Sequence, residues 1–146
     1  MDPDLASALT FRIYKGRRYS LPGDHATVNA DGTIRLLGRG SQCINTGGEK
    51  VYPDEVEEVI KSMPEVEDAI VLGRPDPMWG QAVTAVVELR PGSTTDASDV
   101  IKTCKQMLAG YKCPKRIVLA PVQRLASGKP DLAHANELLE RAETTE

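Results

Sequence analysis

Two apolar runs near the middle of the chain limit its possible folds more than any other feature. They read DAIVLG, beginning at Asp68, and QAVTAVVELR, beginning at Gln81, and the turn-rich segment RPDPMWG connects them. Short runs that are rich in Val and other apolar residues and are bounded by Gly and Pro are typical of buried strands. We therefore predict that both runs are strands of one small sheet.

Three segments around these runs have the periodicity of amphipathic helices. The first, residues 53–63, begins with a proline and has acidic residues in its first turn, which suits the helix dipole. The second starts at a cap, either Asp96 or Ser98, and ends near Gly110. The third covers residues 132–142 and follows a short strand, KRIVLAPV. The residues predicted to face the core are Val56, Val59, Ile60, Met63, Val100, Ile101, Cys104, Leu108, Leu132, Ala135 and Leu139.

Four short stretches with strand character precede the first helix, and they read FRIY, RYSL, ATVNA and TIRLLG. The pair Asp31-Gly32 separates the last two stretches and suits a tight hairpin turn, because both residue types tolerate a positive φ. We predict a small antiparallel β hairpin unit followed by a compact domain, in which about three helices cover one face of a three-stranded sheet. The predicted fold class is α+β.

Composition and charge argue against several classes of function. The chain has 146 residues and a formal net charge of −3, whereas nucleic-acid-binding proteins normally show a basic face. No apolar run approaches the roughly 20 residues that cross a bilayer, and the first residues lack a signal-peptide pattern. Cys43, Cys104 and Cys113 are odd in number and form no CxxC pair, and His25 and His134 have no spaced partners. We therefore expect a cytoplasmic protein with no transmembrane segment, no nucleic-acid partner and no metal site.

A glycine-rich polar stretch, GRGSQCINTGGEKVYPDEVE, extends from Gly38 to Glu57 and leads into the first helix. Glycines allow a ligand to approach the backbone, but such a run taken alone is more often a simple connection between a strand and a helix. Known nucleotide signatures are absent. A dinucleotide fingerprint read from Gly38 requires glycine where Cys43 stands, and a phosphate-binding loop that ends at Lys129 requires glycine where Gln123 stands.

This stretch, together with RYSLPGD before it and RLASGKPD near the end, resembles the C-terminal part of the adenylate-forming superfamily. That superfamily comprises acyl-CoA synthetases, peptide-synthetase adenylation domains and luciferases. The wording INTGGEKVYP is most similar to bacterial, particularly actinobacterial, fatty-acyl or steroid-side-chain CoA ligases, and the motifs follow one another in the family's order. The resemblance implies that residues 1–38 are the tail of a large N-terminal domain, residues 39–142 are the mobile C-terminal domain, and residues 143–146 are a disordered tail.

The resemblance also implies which residues form the nucleotide site. Lys129, in the Ser-Gly-Lys loop, would contact the carboxylate and phosphate oxygens during adenylation, although a lysine in such a loop taken alone is usually a solvated surface residue. Asp24 would accept hydrogen bonds from the ribose hydroxyls of AMP, whereas a carboxylate after a Pro-Gly turn is otherwise a turn residue or a cap. Arg39 and Lys50 would contact the nucleotide, or they are ordinary loop charges.

The same comparison implies a hinge and a path for CoA. The hinge would be Arg39, Gly40 and Ser41; serine departs from the family's usual Asp or Lys, so the pivot is either centred on Ser41 or shared with Gly40. Gly47-Gly48 would line the pantetheine tunnel. Lys105 belongs to a basic cluster that either meets the 3′-phosphate of CoA or is a solvated helix end. The other members of that cluster are Lys112, Lys115 and Arg116.

The function implied is that of the C-terminal domain of an ATP-dependent, AMP-forming fatty-acyl-CoA ligase. The family's Ser/Thr/Gly-rich phosphate loop is absent, so we expect the chain to be inactive alone. Its own large N-terminal domain would be its partner and would bind most of the ATP, CoA and Mg²⁺, together with a fatty or steroid acid. CoA or a carrier phosphopantetheine would accept the acyl group, and the wording INTGGEK favours CoA. Two alternatives are a non-catalytic module that docks in trans on an adenylation domain or carrier protein, and an unrelated interaction domain.

Overall fold

A computed structural model of the chain describes residues 11–21, 23–39 and 42–145. The chain divides into two units, one up to Ser41 and one from Gln42 onward. In the first unit, β1 (Phe11–Tyr14) pairs antiparallel with β2 (Arg17–Ser20), and β3 (Asp24–Val28) pairs antiparallel with β4 (Ile34–Arg39). The predicted small antiparallel β hairpin unit is therefore present, as two separate two-stranded sheets.

The turn between β3 and β4 contains the predicted Asp31-Gly32 pair, but its geometry differs from the prediction. Only Gly32 has a positive φ, of 84°. Asp31 contributes through its side chain, which accepts hydrogen bonds from the Thr33 backbone N–H at 3.0 Å and the Thr33 hydroxyl at 2.6 Å. These bonds, the hydroxyl first, lower the pKa of Asp31 from its usual value. The aspartate therefore stabilises the turn as a hydrogen-bond acceptor rather than as a left-handed residue.

The second unit is built on a five-stranded sheet whose strands are β5 (Ile44–Thr46), β6 (Glu49–Val51), β7 (Val66–Asp76), β8 (Gly80–Leu89) and β9 (Arg116–Leu119). The order is β6-β5-β8-β7, and β9 pairs with β8 in parallel. The prediction of a three-stranded sheet was wrong because the β5–β6 hairpin extends it. Gly47 and Gly48, with φ of 57° and 86°, form the two-residue turn of that hairpin.

Three helices pack on this sheet: α1 (Pro53–Lys61), α2 (Ala97–Met107) and α3 (Leu132–Thr145). Asp96 caps α2 in a reciprocal capping box with Asp99, which confirms one of the two predicted caps. A short 3-10 turn, Gly110–Lys112, precedes β9. None of the helices in the described part of the chain is long and apolar enough to cross a membrane. The α+β class is confirmed.

The helices cover both faces of the sheet, so the expectation of a single covered face was wrong. Successive residues of a strand point to opposite faces. Ala69 and Val71 of β7 pack with α1 and α2 in one core cluster, whereas Ile70 and Leu72 pack with Ala135 and Leu139 of α3 in another. Both faces of β7 are therefore buried, and this accounts for the continuous apolar run at its centre.

Helix α3 differs from its predicted form at both ends. Leu132 is 36% exposed rather than facing the core. At the other end the helix continues to Thr145, through residues that were assigned to a disordered tail. Glu143 forms ion pairs with Arg74 at 3.1 Å and with Arg116 at 3.3 Å, and these pairs hold the last turn against β7 and β9. The ion pairs with Arg74 and Arg116 stabilise this last turn. They were not predicted because both arginines are distant from Glu143 in sequence.

Candidate functional site

Lys129 lies in a closed loop that joins the end of the sheet region to α3. The Leu125 N–H donates to the Lys129 carbonyl at 2.9 Å, and the Gly128 N–H donates to the Leu125 carbonyl at 2.8 Å. Gly128 has a φ of 82°, which a residue with a Cβ adopts only with strain. The Lys129 side chain is exposed. The loop therefore has internal hydrogen bonds while its lysine faces solvent.

Arg124 connects this loop to the edge of the sheet. Its Nε and Nη2 donate to the two carboxylate oxygens of Asp68, at 2.7 and 2.8 Å, and its Nη1 donates to the Gly128 carbonyl at 3.1 Å. The hydrogen bonds from Arg124 lower the pKa of Asp68 from its usual value, against the opposing effect of burial. Asp68 is thus held as a carboxylate, which is the form that a guanidinium binds best.

The other end of the loop is held by Asp131, which caps α3. Its N–H donates to the Gln123 carbonyl at 3.0 Å. Its carboxylate accepts from the His134 N–H at 3.0 Å, and its carbonyl accepts from the Ala135 N–H at 3.1 Å. Because an N-cap satisfies free N–H groups of the first helical turn, this residue ties the loop to the helix.

The Gly47-Gly48 turn packs against an exposed aromatic ring. The Gly47 N–H donates to the Trp79 carbonyl at 2.8 Å, and a Cβ on Gly47 would lie 2.8 Å from Cε3 of Trp79. The Asp76 carboxylate accepts from the backbone N–H groups of Met78 and Trp79, and the Lys115 ammonium lies 5.4 Å from the centre of the indole ring. The turn, the indole ring and the Lys115 ammonium therefore form one surface.

Sequence reasoning did not single out Trp79. The available signal was the position of the chain's one tryptophan in the turn-rich segment RPDPMWG, since an aromatic residue in a connection between strands is often exposed. In the structure Trp79 is 43% exposed. Arg124 was also missed, although it stands in the motif RLASGKPD that carries Lys129.

The four residues of the predicted basic cluster have different surroundings in the structure. Lys105 is exposed in the last turn of α2. The Lys112 ammonium binds both oxygens of Glu55 at 2.9 Å, Arg116 pairs with Glu143, and Lys115 lies over Trp79. Two of the four cations are therefore already paired with carboxylates.

The remaining predicted nucleotide and hinge residues lie on strands or outside the described part of the chain. Asp24 and Arg39 are register partners at the ends of β3 and β4, and Asp24 is exposed. Lys50 is exposed on β6, opposite Asn45. Gly40 and Ser41, the other two hinge residues, lie outside the described residues.

Two of the three cysteines, Cys104 and Cys113, are packing residues. Cys104 and Cys113 are buried, and burial raises the pKa of both thiols, that of Cys104 to about 11. A thiol with such a pKa is protonated at neutral pH and is a poor nucleophile. Within residues 11–21, 23–39 and 42–145, no group of three or more His, Cys, Asp or Glu is placed to hold a metal ion.

Comparisons with known proteins agree on one family. The model of the AMP-binding enzyme C-terminal domain matches residues 55–129, a span that begins in α1 and ends at Lys129. Among curated proteins, a medium/long-chain-fatty-acid–CoA/3-oxocholest-4-en-26-oate–CoA ligase from Mycobacterium tuberculosis is 48% identical over 92% of this chain and 25% of its own length. A 3-oxocholest-4-en-26-oate–CoA ligase from Rhodococcus rhodochrous is 49% identical over 88% of this chain and 23% of its own.

Solved structures give the same result. The crystal structure of apo MatB from Rhodopseudomonas palustris is similar with a TM-score of 0.75 and 32% sequence identity, over 88% of this chain and 25% of that one. The chain spans about a quarter of the length of the curated relatives it matches. The span that the family model matches contains Trp79 and ends at Lys129. On these grounds the chain belongs to the AMP-binding enzyme C-terminal domain family.

Proposed function

We propose that this chain works as the mobile C-terminal part of an ATP-dependent, AMP-forming fatty-acyl-CoA ligase. Such an enzyme first joins a carboxylic acid to AMP and then transfers the acyl group to CoA. The observation that carries the proposal is the hydrogen-bonded loop that presents the exposed Lys129, in a chain of this family. Its partner is a large adenylation domain, which binds most of the ATP, the magnesium ion and the acyl group.

Lys129 is assigned to the adenylation step. In that step a negatively charged carboxylate attacks a phosphorus atom that is surrounded by negative oxygens. An ammonium group between them lowers the repulsion and stabilises the charge that develops in the transition state. The long and flexible side chain of lysine suits this task, because its compact charge reaches away from its own backbone.

The Gly47-Gly48 turn is assigned to the second step, the formation of the thioester. Neither glycine carries a side chain, so the backbone of the turn leaves room for the narrow pantetheine arm of CoA. Lys105 is assigned to the phosphate groups of CoA, because it is exposed and carries a positive charge at the end of α2.

Asp24, Arg39 and Lys50 are assigned to the nucleotide. A carboxylate such as Asp24 accepts hydrogen bonds from ribose hydroxyls, and the two cations suit phosphate oxygens. Rotation about Arg39, Gly40 and Ser41 would exchange the adenylation and thioester arrangements, since hinges need only a few residues that absorb large changes in backbone dihedrals.

The proposed acyl substrates are fatty acids and the side-chain carboxylates of steroids. The support comes from the two curated relatives named above, whose names specify these acids. We propose CoA rather than a carrier protein as the acceptor, since both relatives are named as CoA ligases. The cytoplasm is the proposed location, because ATP and CoA are both available there.

The test is to combine this chain with the purified large domain of a mycobacterial relative and to follow pyrophosphate release and acyl-CoA formation with a panel of fatty and steroid acids. We expect Lys129→Ala to slow pyrophosphate release about a hundred- to a thousandfold, which is the usual effect of removing one group that stabilises a developing charge. Lys102→Ala, which removes an exposed lysine of α2, is the matched control and should leave the rate unchanged.

Two results would contradict the proposal. If Lys129→Ala adenylated at the rate of the unaltered chain, the lysine would have no role in that step. If the two parts bound each other but restored no activity with any acid, a docking module without chemistry of its own would be the better explanation.

A further inference from the structure

We propose that Arg124, held by Asp68, is a positioning residue that fixes the Lys129 loop for the adenylation step. This inference rests on the proposed function of Lys129. Arg124 contacts the loop at Gly128, the residue directly before Lys129, and its other side-chain hydrogen bonds within the described residues go to Asp68. Its proposed effect on the reaction is therefore exerted through the loop.

The geometry of the guanidinium supports this role. Arg124 uses three of its N–H groups, two on the carboxylate of Asp68 and one on the Gly128 carbonyl. A planar guanidinium bound to both oxygens of a carboxylate is fixed in orientation as well as in position. Since the third N–H belongs to the same rigid group, the Gly128 carbonyl is held at a defined place relative to Asp68.

Asp68 is in turn fixed to the core. It lies on β7, and its Oδ1 also accepts a hydrogen bond from the Ala69 N–H at 2.8 Å. Ala69 is fully buried in the cluster formed with α1 and α2. A continuous series of contacts therefore leads from the core through Asp68 and Arg124 to the loop, over 56 residues of sequence separation.

Such a contact matters for catalysis because Lys129 is long and its loop is exposed. The hydrogen bonds within the loop determine its shape. Among the described residues, Arg124 binds the loop to β7 and Asp131 binds it to the start of α3. Misplacement of a reacting group by about 1 Å can cost about a hundredfold in rate. Asp131 holds the start of α3, and Arg124 holds the tip of the loop, next to the lysine.

The chain contains a matched control for this arrangement. Arg90 binds the carboxylate of Glu67, the neighbour of Asp68, and its Nε donates to the Pro64 carbonyl at 3.1 Å. Arg90 therefore makes the same two kinds of contact as Arg124, to a carboxylate near the start of β7 and to a backbone carbonyl. Neither Glu67 nor Pro64 belongs to the Lys129 loop. Substitution of Arg90 therefore shows how the loss of an arginine–carboxylate ion pair affects the domain when the loop is not involved.

The first measurement is kinetic and uses the chain combined with the large adenylation domain. We expect Arg124→Ala to lower the kcat of pyrophosphate release by about tenfold to a hundredfold, with the KM for ATP and for the acid little changed. Thioester formation from a supplied acyl-adenylate and CoA should keep its rate, because Lys129 serves only the first step. Arg124→Lys should be intermediate, since an ammonium cannot reproduce the planar three-way contact. Arg90→Ala should leave both steps unchanged.

A double-mutant cycle that combines Arg124→Ala with Asp68→Asn tests whether the two residues act together or independently. If Asp68 acts through Arg124, the double variant should lose little more adenylation activity than Arg124→Ala alone. If the effects of the two substitutions on the rate multiplied, the residues would act independently and the inference would be overturned. Equal losses in Arg124→Ala and Arg90→Ala, spread over both steps, would also overturn it, since they would indicate a general loss of stability.

The second measurement does not depend on activity. Amide hydrogen exchange of this chain alone should be faster at Leu125 and Gly128 in Arg124→Ala, by about tenfold, and unchanged at these positions in Arg90→Ala. Unchanged exchange in Arg124→Ala would overturn the inference. If exchange rose as expected but Lys129→Ala adenylated normally, the positioning of the loop would stand and the function proposed for Lys129 would fail.

Discussion

Glu57 is a carboxylate buried between helix α1 and the edge of the sheet, and it is 8% exposed. Among the described strands β7 pairs only with β8, so the N–H groups on its other side point away from any strand partner described. Glu57 accepts the Val71 N–H at 2.9 Å, and Asp68 accepts the Ala69 N–H. An exposed row of such groups invites pairing with another chain. These two carboxylates therefore close part of the edge.

The environment of Glu57 leads to a prediction about pH. Burial raises the pKa of this carboxyl above its usual value, and the hydrogen bond from Val71 opposes the shift. The folded state therefore binds the proton more tightly than the unfolded state does. The stabilisation that this proton gives the folded state is largest below the unfolded pKa of about 4.3. It is lost as the pH rises through the raised pKa of Glu57 in the folded state.

We expect Glu57→Gln to become more stable relative to the unaltered chain as the pH rises from about 4 to about 8, because glutamine can still accept the Val71 N–H but carries no charge. Urea unfolding at several pH values, followed by Trp79 fluorescence, measures the difference. The control is Glu58→Gln on the exposed side of α1, which removes a carboxylate from the same helix but leaves the buried one in place. A trend of the opposite sign for Glu57→Gln would show that the carboxylate is favoured in the folded state.

At the scale of elements, the β5–β6 hairpin connects the sheet to the surface formed by its own turn, the Trp79 ring and Lys115. Its strands have three residues each, so the hairpin depends strongly on its turn. Gly47 and Gly48 both have a positive φ, but only Gly47 is covered by the indole ring; a Cβ on Gly48 would meet nothing within 4 Å. A substitution at Gly48 therefore tests backbone strain alone, whereas one at Gly47 tests backbone strain together with contact between the new side chain and the indole ring.

We expect Gly47→Ala and Gly48→Ala each to lower the free energy of unfolding by about 1–2 kcal/mol, since both force a side chain into the left-handed region. Only Gly47→Ala should also change the native emission spectrum, because its methyl group would displace the ring of Trp79. The spectrum reports one site, as the chain contains one tryptophan. Identical native spectra for the two variants would mean that the ring does not pack on Gly47 in solution.

At the scale of the whole molecule, the two units differ in what they bury. The buried hydrophobic residues of the described chain all lie between Ile44 and Leu139, within the second unit. Within the described residues of the first unit, most large apolar side chains are exposed, namely Ile13, Tyr14, Tyr19, Leu21, Val28, Ile34 and Leu36. The core that stabilises the fold is therefore contained in the second unit.

We expect a chain shortened to residues 42–146 to fold with a free energy of unfolding close to that of the full chain, because the buried hydrophobic residues described all lie within it. Urea unfolding followed by Trp79 fluorescence reports the second unit in both proteins. A loss of several kcal/mol on shortening would show that the first unit contributes to the stability of the second.

Much of this architecture follows from the sequence alone, because it depends on neighbouring residues. The periodicity of apolar residues determined the three helices, Asp96 determined the start of α2, and the runs at 68–73 and 81–90 determined the two long strands. The motif around Lys129 and the Gly47-Gly48 pair indicated the family that the comparisons show.

Other features were decided only by the tertiary structure. Strands of three residues carry no periodicity, so the β5–β6 hairpin was not predicted. The covering of both sheet faces, the last turn of α3 and the contact of Trp79 with Gly47 depend on residues far apart in the chain. The pair of Arg124 and Asp68 spans 56 positions, and no local pattern records such a pair. Local backbone preferences thus determined the elements, whereas the packing of distant side chains determined how the Lys129 loop is held.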